Sequence, residues 1–195
     1  NPLEFLYMSN ISAHLNNYKI FVNEVISELN NINTIWEPHA RATKNGFQSL
    51  SNLFEDPIGK LKTLKSIVLD ELDLYYAKHK HEKCSFIQKW PSKKYLSGWH
   101  VILKKGGHQS AHIHSEGWLS GVIYLKVVPS LEKNEGGIEF GLNGIDYSDA
   151  GSPAVVYQPK LGDIIFFPSS LHHRTIPFTT SMDRIVISFD MVEIK

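Results

Sequence analysis

The sequence predicts a mainly β fold preceded by helices, and three observations carry that reading. Up to about residue 90 apolar residues recur at helical steps; beyond it they form short alternating or continuous runs; and Gly, Pro, Asn, Asp and Ser cluster between those runs. Short strands in close succession, with turn residues between them, point to a barrel or a jelly-roll sandwich.

The first helix is read from Tyr18 onward, where Phe21, Val22, Val25, Ile26 and Leu29 form one apolar stripe. Ser12 is the expected cap at its start. A second helix is expected behind Asp56 as N-cap and Pro57 at the first helical position, with Leu61, Leu64, Val68, Leu72 and Tyr75 on one face. The stretch between them, EPHARATKNGFQSLSNLFED, reads as irregular with a turn at Asn45-Gly46. KKYLSGWH carries the chain into the sheets. The strands expected there are GWHVILK, GWLSGVIYLKVV, GGIEFG, AVVYQP, GDIIFFP and RIVISFDMV, with a further one opened by His172-His173. No flexible linker separates the two parts. One domain over 1–195 is therefore expected, its helical part (1–90) packing on a β core (91–195).

A chain of 195 residues, 42% of them hydrophobic, can bury a sizeable core. Twenty basic and twenty acidic residues cancel, which argues against a general nucleic-acid binder. The single cysteine, Cys84, forms no intramolecular disulfide, which suits a reducing compartment and a cytoplasmic location. No apolar run approaches the roughly 18–20 residues of a membrane span, and no signal-peptide pattern opens the sequence. The start at Asn1 suits a piece of a longer protein. The sequence leaves a homodimer open.

Chemistry gathers in three places. In AHIHSEGWLSGVIYL, His112 and His114 stand two apart, so on an extended strand both imidazoles face the same way, half of a chelate. In GDIIFFPSSLHHRTIPF the adjacent His172 and His173 face opposite ways, so only one can join an inward-facing site. Iron and zinc both accept imidazole nitrogen, and a catalytic site keeps positions open. In DRIVISFD, Arg184 begins an otherwise apolar strand, a costly place for a guanidinium unless an anion meets it; its planar fork suits a carboxylate. His14, His39, His79 and His81 read as surface histidines, and DELDLYY as a solvated helix face. No phosphate loop, nucleophile elbow, Cys-x-x-Cys or H-E-x-x-H motif occurs.

Taken in order, these motifs resemble the iron(II)/2-oxoglutarate-dependent oxygenases. In that family a His-x-Asp/Glu pair, a distal His and a 2-oxoglutarate-binding Arg sit on a double-stranded β-helix, a jelly-roll or cupin-like barrel here buttressed by helices. Arg184 follows His173 by eleven residues, a spacing typical of the family. HIHSEGWLSGVIYL, GDIIFFPSSLHHRTIPF and DRIVISFD look closest to a bacterial and phage branch that reads H-x-H, S-G-V-Y-Y, G-D-x-x-x-F-P-S-x-x-x-H and R-I-S-I-S-F-N. ATKNGFQSLSNLFEDPIGKLKTLKSIV fits the N-G-x-Q-S-like stretch and helix of that branch. The resemblance spans about residues 2–191. It implies His112, His114 and His173 as catalytic metal ligands, with iron(II), 2-oxoglutarate and O2 as reactants. It further implies Arg184, with Tyr124 and Gln109, on the 2-oxoglutarate, and hydroxylation of an amino-acid, peptidyl or other small-molecule C–H bond with release of succinate and CO2.

Two departures stand out. Where most of the superfamily has a carboxylate ligand this chain has His114, with Glu116 the nearest carboxylate in sequence. Where the branch has a serine two residues past the arginine, it has Val186, which donates no hydrogen bond. On the expected strand Ser120, Val122 and Tyr124 share one face, which puts the Tyr124 hydroxyl forward to serve Arg184. GLNGIDYSDAGSP reads as a lid loop over the barrel mouth. The rival readings are a cupin-like metal enzyme that does not use 2-oxoglutarate and a non-catalytic metal- or ligand-binding β-barrel.

Overall fold

A computed structural model describes residues 1–141, 151 and 153–194. Ten strands and three α-helices are present among them. In chain order they are β1 (Tyr7–Asn10), α1 (Tyr18–Leu29), β2 (Thr34–Trp36), β3 (Thr43–Ser49), α2 (Gly59–His79), α3 (Ser85–Gln88) and β4 (Lys94–Gln109), then β5 (Leu119–Lys126), β6 (Ile138–Gly141), β7 (Ala154–Tyr157), β8 (Asp163–Pro168), β9 (His172–Thr175) and β10 (Arg184–Glu193). A seven-stranded sheet runs β1-β8-β5-β10-β4-β3-β2, and a three-stranded sheet runs β7-β6-β9. All strand pairings among the described residues are antiparallel.

Strand parity divides the interior in two. On β5, Leu119, Ile123 and Leu125 join a core with the α1 and α2 residues Val22, Val25, Leu64, Val68 and Leu72. The alternate residues Val122 and Tyr124 join a second core with Val101, Phe140, Phe167 and Val186, drawn from both sheets. The same alternation on β8 sends Ile164 and Phe166 to the helices and Ile165 and Phe167 to the space between the sheets. A strand buried on both faces has to be apolar throughout, which is why GVIYL and DIIFF read as continuous runs. The helices buttress the large sheet, as the sequence predicts.

Several expectations for the first 56 residues change. Ser12 does not cap α1: it lies in a 3-10 turn (Ile11–Ala13) whose own cap is Asn10, with the Ser12 amide donating to Asn10 Oδ1 at 2.9 Å. Asp56 and Pro57 do not start α2. Asp56 has φ +46°, and the helix begins at Gly59. The Glu28 carboxylate takes over the capping, accepting from the Lys60 and Leu61 amides at 2.7 and 3.0 Å. This carboxylate lies so close to Gly59 that any Cβ there would collide with it. Asn45-Gly46 is a bulge inside β3 rather than a turn: Asn45 has φ +47°, and the register with β4 shifts between Lys44 and Gly46. The irregular stretch therefore contains a strand, and β1, β2 and β3 all lie in the part read as helical.

His79 is buried, its ring 4.8 Å from that of Tyr75 and 5.2 Å from that of Phe5. The acidic run of α2 is not wholly solvated either. Glu71 is buried and accepts from the Tyr7 and Ser9 hydroxyls, with His14 Nε2 at 2.7 Å, tying α2 to the sheet edge. The proposed lid falls on residues 141–153, of which 142–150 and 152 lie outside the described residues.

Candidate metal centre and the cavity beside it

The loop between β4 and β5 brings His112 and His114 against β9. His112 forms an isolated antiparallel bridge with His173, the two exchanging backbone hydrogen bonds at 3.1 Å each. The His114 amide donates to Ser169 O at 2.9 Å, which ties the loop to the end of β8. One ligand-capable nitrogen of each of His112, His114 and His173 then falls within 4.8 Å of the others, the one such cluster among the described residues. Nε2 of His112 and Nε2 of His114 are 3.2 Å apart. Two imidazole nitrogens sharing one ion at about 2.0–2.1 Å stand roughly 3 Å from each other when bound at right angles. The arrangement fits a single small divalent ion.

Each Nδ1 has an oxygen partner. Nδ1 of His112 is 2.7 Å from Ser110 O, that of His173 is 3.1 Å from Leu171 O, and that of His114 is 2.6 Å from Asp190 Oδ1. A carbonyl or carboxylate partner makes Nδ1 the protonated nitrogen and leaves the lone pair on Nε2. Burial, with the neighbouring imidazoles adding to it, lowers His112 to about 4 and His173 well below the usual histidine value. Both are neutral, metal-ready ligands at pH 7. His172, on the opposite face of β9, stays out of the cluster. Phe167 and Phe140 pack on His173 at 4.5 and 6.3 Å between ring centroids.

Arg184 begins β10 and is 2% exposed, yet no carboxylate meets it among the described residues. Its Nε donates to Gly136 O at 3.2 Å, and its guanidinium carbon lies 4.9 Å from the Tyr124 ring centroid. Among the described residues the buried Tyr124 hydroxyl accepts and donates no hydrogen bond, and its nearest charged neighbour is the Arg184 guanidinium. Burial above all raises Tyr124 to about 12, so it stays a protonated donor. A buried cation beside an orphaned hydroxyl is a socket for an anion. Val186 is buried directly across from Tyr124 and offers that socket nothing polar.

A cavity of about 520 Å³ opens against His112 and His114, lined among others by Arg41, Gln48, Trp99, Gln109, Glu116 and Asp190. Gln109 ends β4 in this wall, and Glu116 is an exposed wall residue outside the three-histidine cluster. Arg41 is also exposed, and neither it nor Glu116 forms an ion pair among the described residues. Sequence reasoning missed Arg41 and Asp190. For Asp190 a signal existed: counting in twos from Arg184 puts residues 186, 188 and 190 on the same inward face.

Residues 97–190 match the model of the family described as "Putative 2OG-Fe(II) oxygenase". No curated protein is similar enough in sequence to match. Among solved structures, a prolyl-4-hydroxylase from Pseudomonas putida superposes with a TM-score of 0.63 at 11% identity, covering 97% of this chain and 93% of its own. A prolyl hydroxylase from Trichoplax adhaerens, in complex with a hypoxia inducible factor oxygen degradation domain peptide fragment, gives 0.64 at 13% identity, covering 96% and 83%. HygX from Streptomyces hygroscopicus, with nickel and 2-oxoglutarate bound, gives 0.57 at 13% identity, covering 96% and 82%. At these identities the likeness is one of fold.

Proposed function

Because residues 97–190 match the 2OG-Fe(II) oxygenase family, we propose that His112, His114 and His173 hold iron(II) and that Arg184 and Tyr124 grip 2-oxoglutarate for hydroxylation of a substrate C–H bond. The observation that carries this reading is the buried, anion-less Arg184 beside the orphaned Tyr124 hydroxyl. A cupin-like metal enzyme or an inert barrel has no use for an uncompensated guanidinium, which costs stability unless a ligand meets it.

When bound, iron(II) and 2-oxoglutarate supply the oxidising power, one oxygen atom of O2 going into succinate as CO2 leaves and the other into the substrate C–H bond. The protein supplies geometry and exclusion. The three Nδ1 hydrogen bonds aim the Nε2 lone pairs at one point. Arg184 offers a planar fork to the far carboxylate of the dicarboxylate, and Tyr124 adds an O–H donor in place of the serine that Val186 replaces. Phe140 and Phe167 keep water from His173. Gln109 adds an amide to the wall facing the bound molecules.

The substrate we assign to the cavity is an amino-acid or peptidyl unit carrying charges of both signs. Arg41 and Glu116 lie in the same wall and form no ion pair among the described residues, and a zwitterion would satisfy both. A volume of about 520 Å³ lies within the usual range for small-molecule sites. Purified protein mixed with iron(II) and 2-oxoglutarate without oxygen is expected to develop a weak visible charge-transfer band that His173→Ala lacks. On admitting oxygen, 2-oxoglutarate is expected to turn over to succinate. Absence of both the band and turnover in the unaltered protein ends this reading.

A further inference from the structure

The three Nδ1 partners are not equivalent. His112 and His173 lean on neutral backbone carbonyls, whereas His114 leans on a carboxylate, Asp190 Oδ1, at 2.6 Å. His114 is also the position where the sequence departs from a carboxylate ligand.

The carboxylate is a built feature. Asp190 is 8% exposed and stands directly across from Ser120 in the β10–β5 register. Ser120 Oγ donates to Asp190 Oδ1 at 2.6 Å and lies 3.0 Å from His114 Nδ1. With that proton committed, Ser169 must be the donor in its 2.8 Å contact with Ser120 Oγ. The four groups are packed so closely against Gly117 that a Cβ there would lie 2.5 Å from Ser169 Oγ and 3.1 Å from Asp190 Cγ, forcing those side chains to shift. Both serines are buried, and of the three residues only Asp190 reaches the cavity wall.

Resting on the metal-binding reading above, we propose that Asp190 is a positioning residue that stands in for the missing carboxylate ligand. It acts one hydrogen bond away, through His114. It locks the imidazole with Nε2 toward the ion, and its negative charge makes that nitrogen a stronger donor than its two carbonyl-backed neighbours. A three-imidazole site would otherwise carry one negative charge less than a site with two imidazoles and a carboxylate. The Ser120 hydroxyl keeps the carboxylate pinned at the Oδ1 that does this.

The test compares Asp190→Asn, which keeps the shape and removes the charge, with Asp190→Glu and Ser120→Ala in the full chain. Metal-free melting is recorded first. Cobalt(II) affinity and the position of the anaerobic iron(II)–2-oxoglutarate charge-transfer band follow. For Asp190→Asn the expected result is metal-free melting close to that of the unaltered protein, a 10- to 100-fold weaker metal affinity and a displaced band. Asp190→Glu is expected to recover part of both. Ser120→Ala retains the charge and is expected to weaken metal severalfold, which decides the matter should Asp190→Asn not fold. Metal affinity within twofold and an unmoved band in the folded variants overturn the role of Asp190. Failure of the unaltered protein to bind metal overturns the metal centre itself, a separate outcome.

Discussion

The Arg184 guanidinium carbon lies 4.9 Å from the centroid of the Tyr124 ring, and the Tyr124 hydroxyl makes no hydrogen bond among the described residues. The ring face offsets part of the cost of burying the cation, and both groups keep donors free. Replacing Arg184 with Met removes a buried charge that no carboxylate offsets. The metal-free variant should therefore melt no lower than the unaltered protein. Its 2-oxoglutarate affinity should drop by about 100-fold, the loss expected for a charge-assisted bidentate grip. Thermal melts with and without 2-oxoglutarate separate the two effects; undiminished stabilisation by 2-oxoglutarate in this variant contradicts the assignment.

Tyr124→Phe should act in opposite directions on stability and on binding. Deleting an unsatisfied buried hydroxyl is expected to raise metal-free stability by about 1 kcal/mol. The same deletion should weaken 2-oxoglutarate about tenfold, as loss of one hydrogen bond to a charged acceptor does. Urea denaturation and isothermal titration on the same preparation check both signs.

His100 provides a pH test away from the metal centre. It is buried on β4 with Nδ1 making no hydrogen bond among the described residues, and burial lowers it from 6.5 to about 4. Between those values the unfolded chain binds the proton and the folded chain does not, so its contribution is complete above pH 6.5 and is lost as pH falls toward 4. The loss from this one residue is on the order of 3 kcal/mol. Metal-free protein should lose urea stability across that window, and His100→Gln should flatten the slope.

The Glu28 cap predicts a defect in the helical layer. Glu28→Ala strips the Lys60 and Leu61 amides of their acceptor and should cost about 1–2 kcal/mol. Glu28→Gln keeps an acceptor oxygen without the charge and should cost about half as much. Equal melting of all three proteins would show that water caps α2 as well as Glu28 does.

Much of the fold was legible in the sequence because period-two and period-3.6 patterns report burial directly. Every expected β run after residue 90 lies on an observed strand, and the apolar stripes of α1 and α2 face the large sheet. The first 56 residues resisted for an identifiable reason. Helix α2 is capped by a glutamate some thirty residues away in α1, which leaves no mark within a local window, and the bulge at Asn45 in β3 carries the same Asn-Gly signal as a turn. The histidines and Arg184 stood out because imidazoles and a guanidinium are conspicuous in apolar strands. Asp190 and Ser120 did not, since a lone serine or aspartate in a strand is ordinary until the cross-strand register pairs them.

That register reaches further than the two residues it joins. Ser120 faces Asp190, Val122 faces Ser188 and Tyr124 faces Val186 along β5 and β10. The imidazole end and the guanidinium end of the site thus hang from one pair of hydrogen-bonded strands, six residues or roughly 20 Å of β10 apart at Cα. Backbone pitch acts as a ruler between them, whatever side chains fill the space. Surface loops can accordingly be exchanged to change what enters the cavity, while a one-residue slip between β5 and β10 would dismantle both ends together.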